Sequence, residues 1–214
     1  MRTLDIMLEI KHNNNILNQD RRIIYYGHNI MIELNKEIVE EFCDLCDRSH
    51  EAWITHKTLF DDNPKVEDLI KDLPFFSRLS IITQEYSLQQ FIKLHDPEKQ
   101  KGYNNLSFKF IIKYGNWSKE TLKMLNDLFD KMEETMGRSI KDARNNVLSH
   151  NDLNTIINKL THGKFPLGAD IEYINLMHEF INIVHDQYIG GVYIFRDLAK
   201  REAENLLERV QIKK

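Results

Sequence analysis

A chain of 214 residues with 42% hydrophobic and 29% charged residues can bury a real core, which excludes disorder as its default state. The formal net charge of −4 provides no global field for drawing in nucleic acid, so any such binding needs a local basic patch. Two cysteines, Cys43 and Cys46, are too few for a disulfide framework. Asp5 and Glu9 interrupt the first apolar residues, which argues against a signal peptide. No apolar run approaches the roughly 20 residues needed to span a bilayer. The expectation is a soluble, cytoplasmic protein with no membrane partner.

Punctuation comes from the four prolines, Pro64, Pro74, Pro97 and Pro166, all of which fall between periodic stretches. After Asn29, Val39, Cys43, Cys46, His50 and Trp53 recur at helical spacing, predicting a helix of about 25 to 30 residues. Pro74 suits a first helical turn, and Phe75, Leu79, Ile82 and Tyr86 mark the apolar face of the helix that follows. Leu106 to Tyr114, between two glycines, is too short for periodicity to separate helix from buried strand; helix is the expectation. Ser118 can cap a helix whose face is Leu122, Leu125, Phe129, Met132 and Met136, with Gly137 as its closing residue.

Ser139 and Asp142 then read as a capping box opening a new helix towards Leu160, and Thr161 to Asp170 read as a loop. Ile174, Met177, Ile181, Val184 and Tyr188 form another amphipathic face. Gly190 and Gly191 break it before a last helix from Val192 to about Val210. Sustained period-two alternation is absent, as are repeats and linkers. The prediction is an all-α fold, an antiparallel helical bundle of about seven to eight helices. It is expected to be a single domain over 1–214, with its core at about 30–210 and the role of 1–29 open.

Several residues carry chemistry-capable side chains. Cys43 and Cys46 have the spacing of a metal pair, with His50 on the same face and His56 nearby, but a zinc site usually needs four ligands. The same positions form an uninterrupted helix seam, so core packing is the expectation. His178 and His185 share one helix face without a carboxylate at metalloprotease spacing, and are expected at the solvent edge. Aromatic residues are scattered at core spacing and do not form a stacking platform for bases.

The remaining candidate is the polar run Asp142-Ala-Arg-Asn-Asn-Val-Leu-Ser-His-Asn-Asp152. On an unbroken helix Arg144 and His150 lie roughly 9 Å apart along the axis and about 120° apart in direction, which is not one face. The weak helix formers from Asn145 to Ser149 allow a distortion that brings them together. From the residues alone two readings stand. In one, Arg144 and His150 converge on a reacting group. In the other, Arg144 is a solvated charge and His150 an interfacial histidine in step with Ile140, Ala143, Val147 and Ile157.

Arg144-Asn145, four further residues and His150, inside an all-α chain of this size, resemble the Arg-polar-x4-His motif of the HEPN superfamily. Leu94-His-Asp-Pro-Glu98 and Asn104-Asn-Leu-Ser-Phe108, ahead of that motif, more narrowly resemble its abortive-infection, AbiU-like branch, over roughly residues 30 to 200. The resemblance implies a helical HEPN-type domain that forms a homodimer and, in catalytic members, cleaves RNA with no metal and no cofactor. Arg144 matches the motif arginine, Asn145 the polar residue after it, and His150 the histidine. Some relatives carry a modifiable tyrosine two residues after the histidine, where this chain has Asp152.

The chemistry suits those residues. Histidine can serve as base or acid near neutrality, and the arginine fork matches a phosphate. One motif histidine per chain, in a reaction with two proton transfers, points to a two-fold dimer whose axis passes near His150. Otherwise His162, His178 or His185 would have to be the second proton carrier. Leu148 and Asn151 are the expected contact rim. Residues 137–164 hold five Lys or Arg against two Asp or Glu, whereas 116–136 hold three against five. Three readings follow: an endoribonuclease of a defence or toxin-antitoxin system held in check by an antitoxin partner, an inactive HEPN module that binds RNA, a nucleotide or a partner protein, and a purely structural bundle.

Overall fold

The computed structural model describes residues 33–143, 166–196 and 198–211. Asn35 opens the first helix by accepting the Ile38 N–H at 2.9 Å, and Glu37 occupies the first turn, where the helix dipole favours an anion. This helix, α1 (Lys36–His56), passes into a wider π turn at Lys57–Asp61. A short α2 (Val66–Asp72) follows, and then α3 (Pro74–Leu94) with its proline in the first turn. Beyond α3, β1 (Lys99–Gln100) pairs antiparallel with β2 (Tyr103–Asn104), Lys99 opposite Asn104. Lys101 and Gly102 close that hairpin with φ of 49° and 87°, the left-handed geometry a two-residue loop requires.

The apolar run after the hairpin is a helix, α4 (Phe108–Tyr114), as expected. Periodicity could not decide it; Ser107 does, accepting the Phe110 N–H through its hydroxyl. Ser118 likewise caps α5 (Lys119–Met132) by accepting the Thr121 N–H at 3.0 Å. A second π turn, Glu133–Gly137, leads into α6 (Arg138–Ala143). The remaining helices are α7 (Ala169–Tyr188) and α8 (Leu198–Gln211). The two-residue strands are the only sheet among the described residues, so the fold is all-α. No helix among these residues is long and apolar enough to cross a membrane. All described residues fall in one compact unit, Glu33–Lys214.

At the core, rings from three helices meet: Phe42 of α1 lies 5.6 Å from Phe108 of α4, which lies 5.0 Å from Phe180 of α7, both edge to face. All three are fully buried, each contributing on the order of 2–3 kcal/mol by leaving water. Val39, Cys46, Leu125, Met132, Met177 and Ile181 are likewise without exposed surface. A second cluster of Leu59, Phe60, Leu69, Phe76 and Ala203 ties α8 to α2, α3 and the first π turn. Trp53 donates its indole N–H to Asp170 at 3.1 Å, fastening α1 to the first turn of α7.

The tertiary structure corrects four local readings. Phe75, Ile82 and Tyr86 are 59%, 60% and 51% exposed, so they are not the buried face of α3. The residues that α3 buries are Phe76, Ser87, Gln90, Phe91, Ile92 and Leu94. The polar ones among them hid that face from a count of apolar residues.

Gly137 does not close the helix before it. Backbone geometry stays helical through Arg138, at φ −64° and ψ −45°, and Ser139 lies inside α6, not at a cap. The glycine is there for space: a Cβ would stand 2.9 Å from Cε1 of the buried His95.

The last helix starts at Leu198, not Val192. Gly190 and Gly191, with φ of 98° and 79°, end α7, and the chain then runs extended. Val192 and Ile194 face solvent while Phe195 turns inward. Tyr193 is held by Asn182, which accepts its N–H at 2.8 Å, and by Asp47, which accepts its hydroxyl. The fourth correction, to His178, belongs with the polar clusters.

In an unconstrained helix, replacing a glycine by alanine stabilises by about 1 kcal/mol. Gly137→Ala should instead lower stability by about 1–3 kcal/mol, because the added methyl overpacks against a ring that cannot swing away. Chemical denaturation of the two proteins checks the sign.

Candidate functional site

Arg144, Asn145 and His150, the motif residues, lie outside the described residues, as do Leu148, Asn151, Asp152 and His162. The stretch that leads into them is described: α5, the π turn Glu133–Gly137 and α6, whose last residue Ala143 precedes Arg144 in the sequence. A chain of four polar side chains fastens it to its neighbours.

At the centre is His95, just past the C-terminus of α3 and 2% exposed. Its Nδ1 lies 2.6 Å from Glu133 Oε1 and its Nε2 2.7 Å from the Tyr173 hydroxyl. A carboxylate only accepts, so Nδ1–H donates to Glu133, and Nε2 accepts from Tyr173. Lys141, one helix on, places its ammonium on the same Glu133 oxygen. The ring sits among Phe108, Phe129 and Tyr173, with centroids 5.3 to 5.6 Å away.

The electrostatics agree with this tautomer. Burial pushes the His95 pKa below the usual imidazole value, outweighing the opposing pull of Glu133, so the ring is neutral. Burial would raise the Glu133 carboxyl, but the hydrogen bonds from His95 and Lys141 overcome it and hold its pKa at about 2. Burial raises Tyr173 well above the usual phenol value, so its proton stays available to His95. Every group has its partner, the condition under which a buried ion is tolerated. Buried as it is, His95 cannot reach a bound polymer; it holds elements in place.

In the sequence His95 stands out only as part of Leu94–Glu98, and Glu133, Lys141 and Tyr173 belong to no motif. The available signal was Glu133 itself, a carboxylate four residues after Phe129 on an otherwise apolar helical stripe.

The other candidates are packing residues. Cys43 and Cys46 are buried free thiols. Burial, with Asp47 nearby, raises Cys43 to about 12 and lifts Cys46 as well, so both stay protonated and inert. His56 donates Nδ1–H to the Thr83 hydroxyl at 2.9 Å, since that hydroxyl spends its own proton on the Leu79 carbonyl. His50 is buried against Trp53, His178 and Phe195.

His178 corrects the solvent-edge expectation. It stacks on Phe195 with centroids 3.8 Å apart and planes at 14°, and its buried Nε2 has no hydrogen-bond partner among the described residues. The extended segment after Gly191 covers it, a tertiary contact that a helical reading of Val192–Arg196 could not foresee. His185 is partly buried and donates Nδ1–H to the Gly191 carbonyl at 2.8 Å, helping to turn the chain into that segment.

Burial, with a smaller push from His50, depresses the His178 pKa to about 4. The unfolded chain, with an ordinary value of about 6.5, therefore binds more protons than the folded one between those values. His95 and His56 are also depressed, chiefly by burial. Stability should fall as pH drops from about 6.5 towards about 4. His178→Phe, which keeps the stack on Phe195, should make that fall shallower in denaturant titrations across this range. An equally steep fall would show that His178 is not its source.

No curated protein and no solved structure matches the chain. A family model does: that of AbiU2, a HEPN family, over residues 33–208. The match runs from just before α1 into α8, and contains the helices around His95, both segments Leu94–Glu98 and Asn104–Phe108, and the stretch Arg144–His150. An all-α fold of the HEPN type agrees with it, and the chain belongs to the AbiU2 family of HEPN domains.

Proposed function

We propose that this chain is a metal-independent endoribonuclease of a defence or toxin-antitoxin system, acting in the cytoplasm and held in check by an antitoxin partner. The observation that carries the reading is that Arg144-Asn145-x4-His150 falls within the span matched by the AbiU2 family. The basic balance of residues 137–164, five cations against two anions, supports an RNA-facing role for that stretch. The proposed domain is the body of the chain, with its core at about 30–210.

The reaction begins at the RNA's own 2′-hydroxyl. A base takes its proton, the oxygen attacks the adjacent phosphorus, and a P–O2′ bond forms as the P–O5′ bond breaks. The departing 5′-oxygen takes a proton from an acid. His150 can serve as base in one protomer while the partner's copy of the same histidine serves as acid. Arg144 spreads donors over the phosphate oxygens as charge builds, and Asn145 orients the phosphate or the imidazole. The homodimer is part of this proposal, with its axis near His150 and Leu148 and Asn151 at the contact rim.

His150→Ala should reduce RNA cleavage on the order of 10²- to 10⁴-fold with the helical circular dichroism unchanged. Arg144→Lys should also be severely impaired, since an ammonium keeps the charge and loses the fork. Asn145→Ala should lose less. Cleavage should persist in EDTA and leave a 2′,3′-cyclic phosphate, and light scattering at micromolar concentration should give a dimer. Unchanged cleavage by purified His150→Ala protein removes the assignment. A wild-type protein that cleaves no RNA and does not arrest growth on expression is an inactive HEPN module.

A further inference from the structure

The polar chain of Tyr173, His95, Glu133 and Lys141 contains none of the motif residues, and nothing in the proposed chemistry uses it. It is wrapped around an unusual piece of backbone. Glu133 and Gly137 are the first and last residues of the π turn. His95 touches both, through the 2.6 Å hydrogen bond to Glu133 and through the space that the missing Cβ of Gly137 leaves for its ring. Lys141 then reaches back from α6 to the same Glu133 oxygen, closing the far side of the turn.

A π turn fits one more residue into a helix than an α turn does, and is retained where something specific holds it. One residue more or less rotates everything downstream by about 100° around the helix axis. The state of this turn therefore sets the direction of α6, whose last residue, Ala143, precedes Arg144 in the sequence. His95 is well suited to hold it, with both ring nitrogens engaged, three aromatic neighbours and 2% exposure.

We propose that His95 is a positioning residue: through Glu133 and Lys141 it holds the π turn Glu133–Gly137 and thereby aims α6, and Arg144 after it, for phosphate contact. Its effect on cleavage rests on the ribonuclease reading; its effect on the turn does not. The substitution to use is His95→Phe in the full-length chain, which keeps a ring in the aromatic cage and removes both hydrogen bonds.

Amide hydrogen exchange reads the turn directly. The amides of Glu133–Ala143 should exchange about tenfold faster or more, while those of Ile174–Val184 in α7 keep their protection. On a single-stranded RNA probe, kcat should fall about tenfold or more with KM changed less than about threefold, as for a misaimed group that acts in the transition state. Added to Arg144→Ala, His95→Phe should lower cleavage little further, because the two losses act through one group. Lys141→Met, at the outer end of the chain, should give the same pattern with smaller size, and it carries the test if His95→Phe does not fold. Unchanged exchange over Glu133–Ala143 overturns the proposal, as does a loss of cleavage that simply multiplies with that of Arg144→Ala. If the wild-type protein cleaves no RNA, the ribonuclease reading falls and the exchange measurement alone decides whether His95 holds the turn.

Discussion

The hydrogen bond from His95 to Glu133 is the constraint around which the rest of the molecule is arranged. Taking a carboxylate largely out of water, as for Glu133, is unfavourable by several kcal/mol unless donors meet its oxygens. Here one donor comes from the end of α3 and the other from α6, while the imidazole is oriented in turn by Tyr173 of α7. Three segments far apart in sequence, those of His95, Glu133–Lys141 and Tyr173, must therefore be in place together. Each also brings large apolar residues that the arrangement buries, so the polar chain and the core reinforce one another.

That core divides the work unevenly. Phe42, Phe108 and Phe180 hold α1, α4 and α7 through edge-to-face contacts, whose geometry is selective as well as apolar. The cluster around Phe60 and Phe76 fastens α8 to the π turn after α1, to α2 and to the start of α3. Between the two, α3 crosses with Ser87 and Gln90 buried and leaves Phe75, Ile82 and Tyr86 in solvent. The extended segment Val192–Arg196 works differently again. It covers His50 and His178 with Phe195 and is anchored by polar contacts to Asn182 and Asp47.

Family membership and motif meet at one place in this scheme. HEPN domains share a fold while differing in activity, so chemistry must come from particular side chains. The side chains proposed for it in this chain are Arg144, Asn145 and His150, which follow in the sequence on the helical stretch braced by His95, Glu133 and Lys141. Under the proposed ribonuclease reading, a rigid approach to Arg144 is valuable because transition-state stabilisation depends on placement to within about an ångström. In the proposed homodimer, with a single motif histidine in each chain, the second copy would be the source of the second proton-transfer group.

The helical class, the cap at Ser118, the seam of Val39, Cys43, Cys46 and His50, and the face of Ile174, Met177, Ile181 and Val184 were all legible in the chain. Each depends on neighbours within a few residues, where spacing and capping chemistry operate. The motif was legible as residue types at a spacing, though not as a geometry. Other features were decided elsewhere. Gly137 reads as a helix end until His95 arrives from 42 positions away to occupy the space it leaves. Val192–Arg196 reads as helix until Asp47, Asn182 and His178 offer an extended strand its partners. The buried face of α3 could not be found by counting apolar residues, because it contains Ser87 and Gln90 and excludes Ile82. In each case local preference differs by about 1 kcal/mol or less between alternatives, and contacts made only in the folded chain outweigh it.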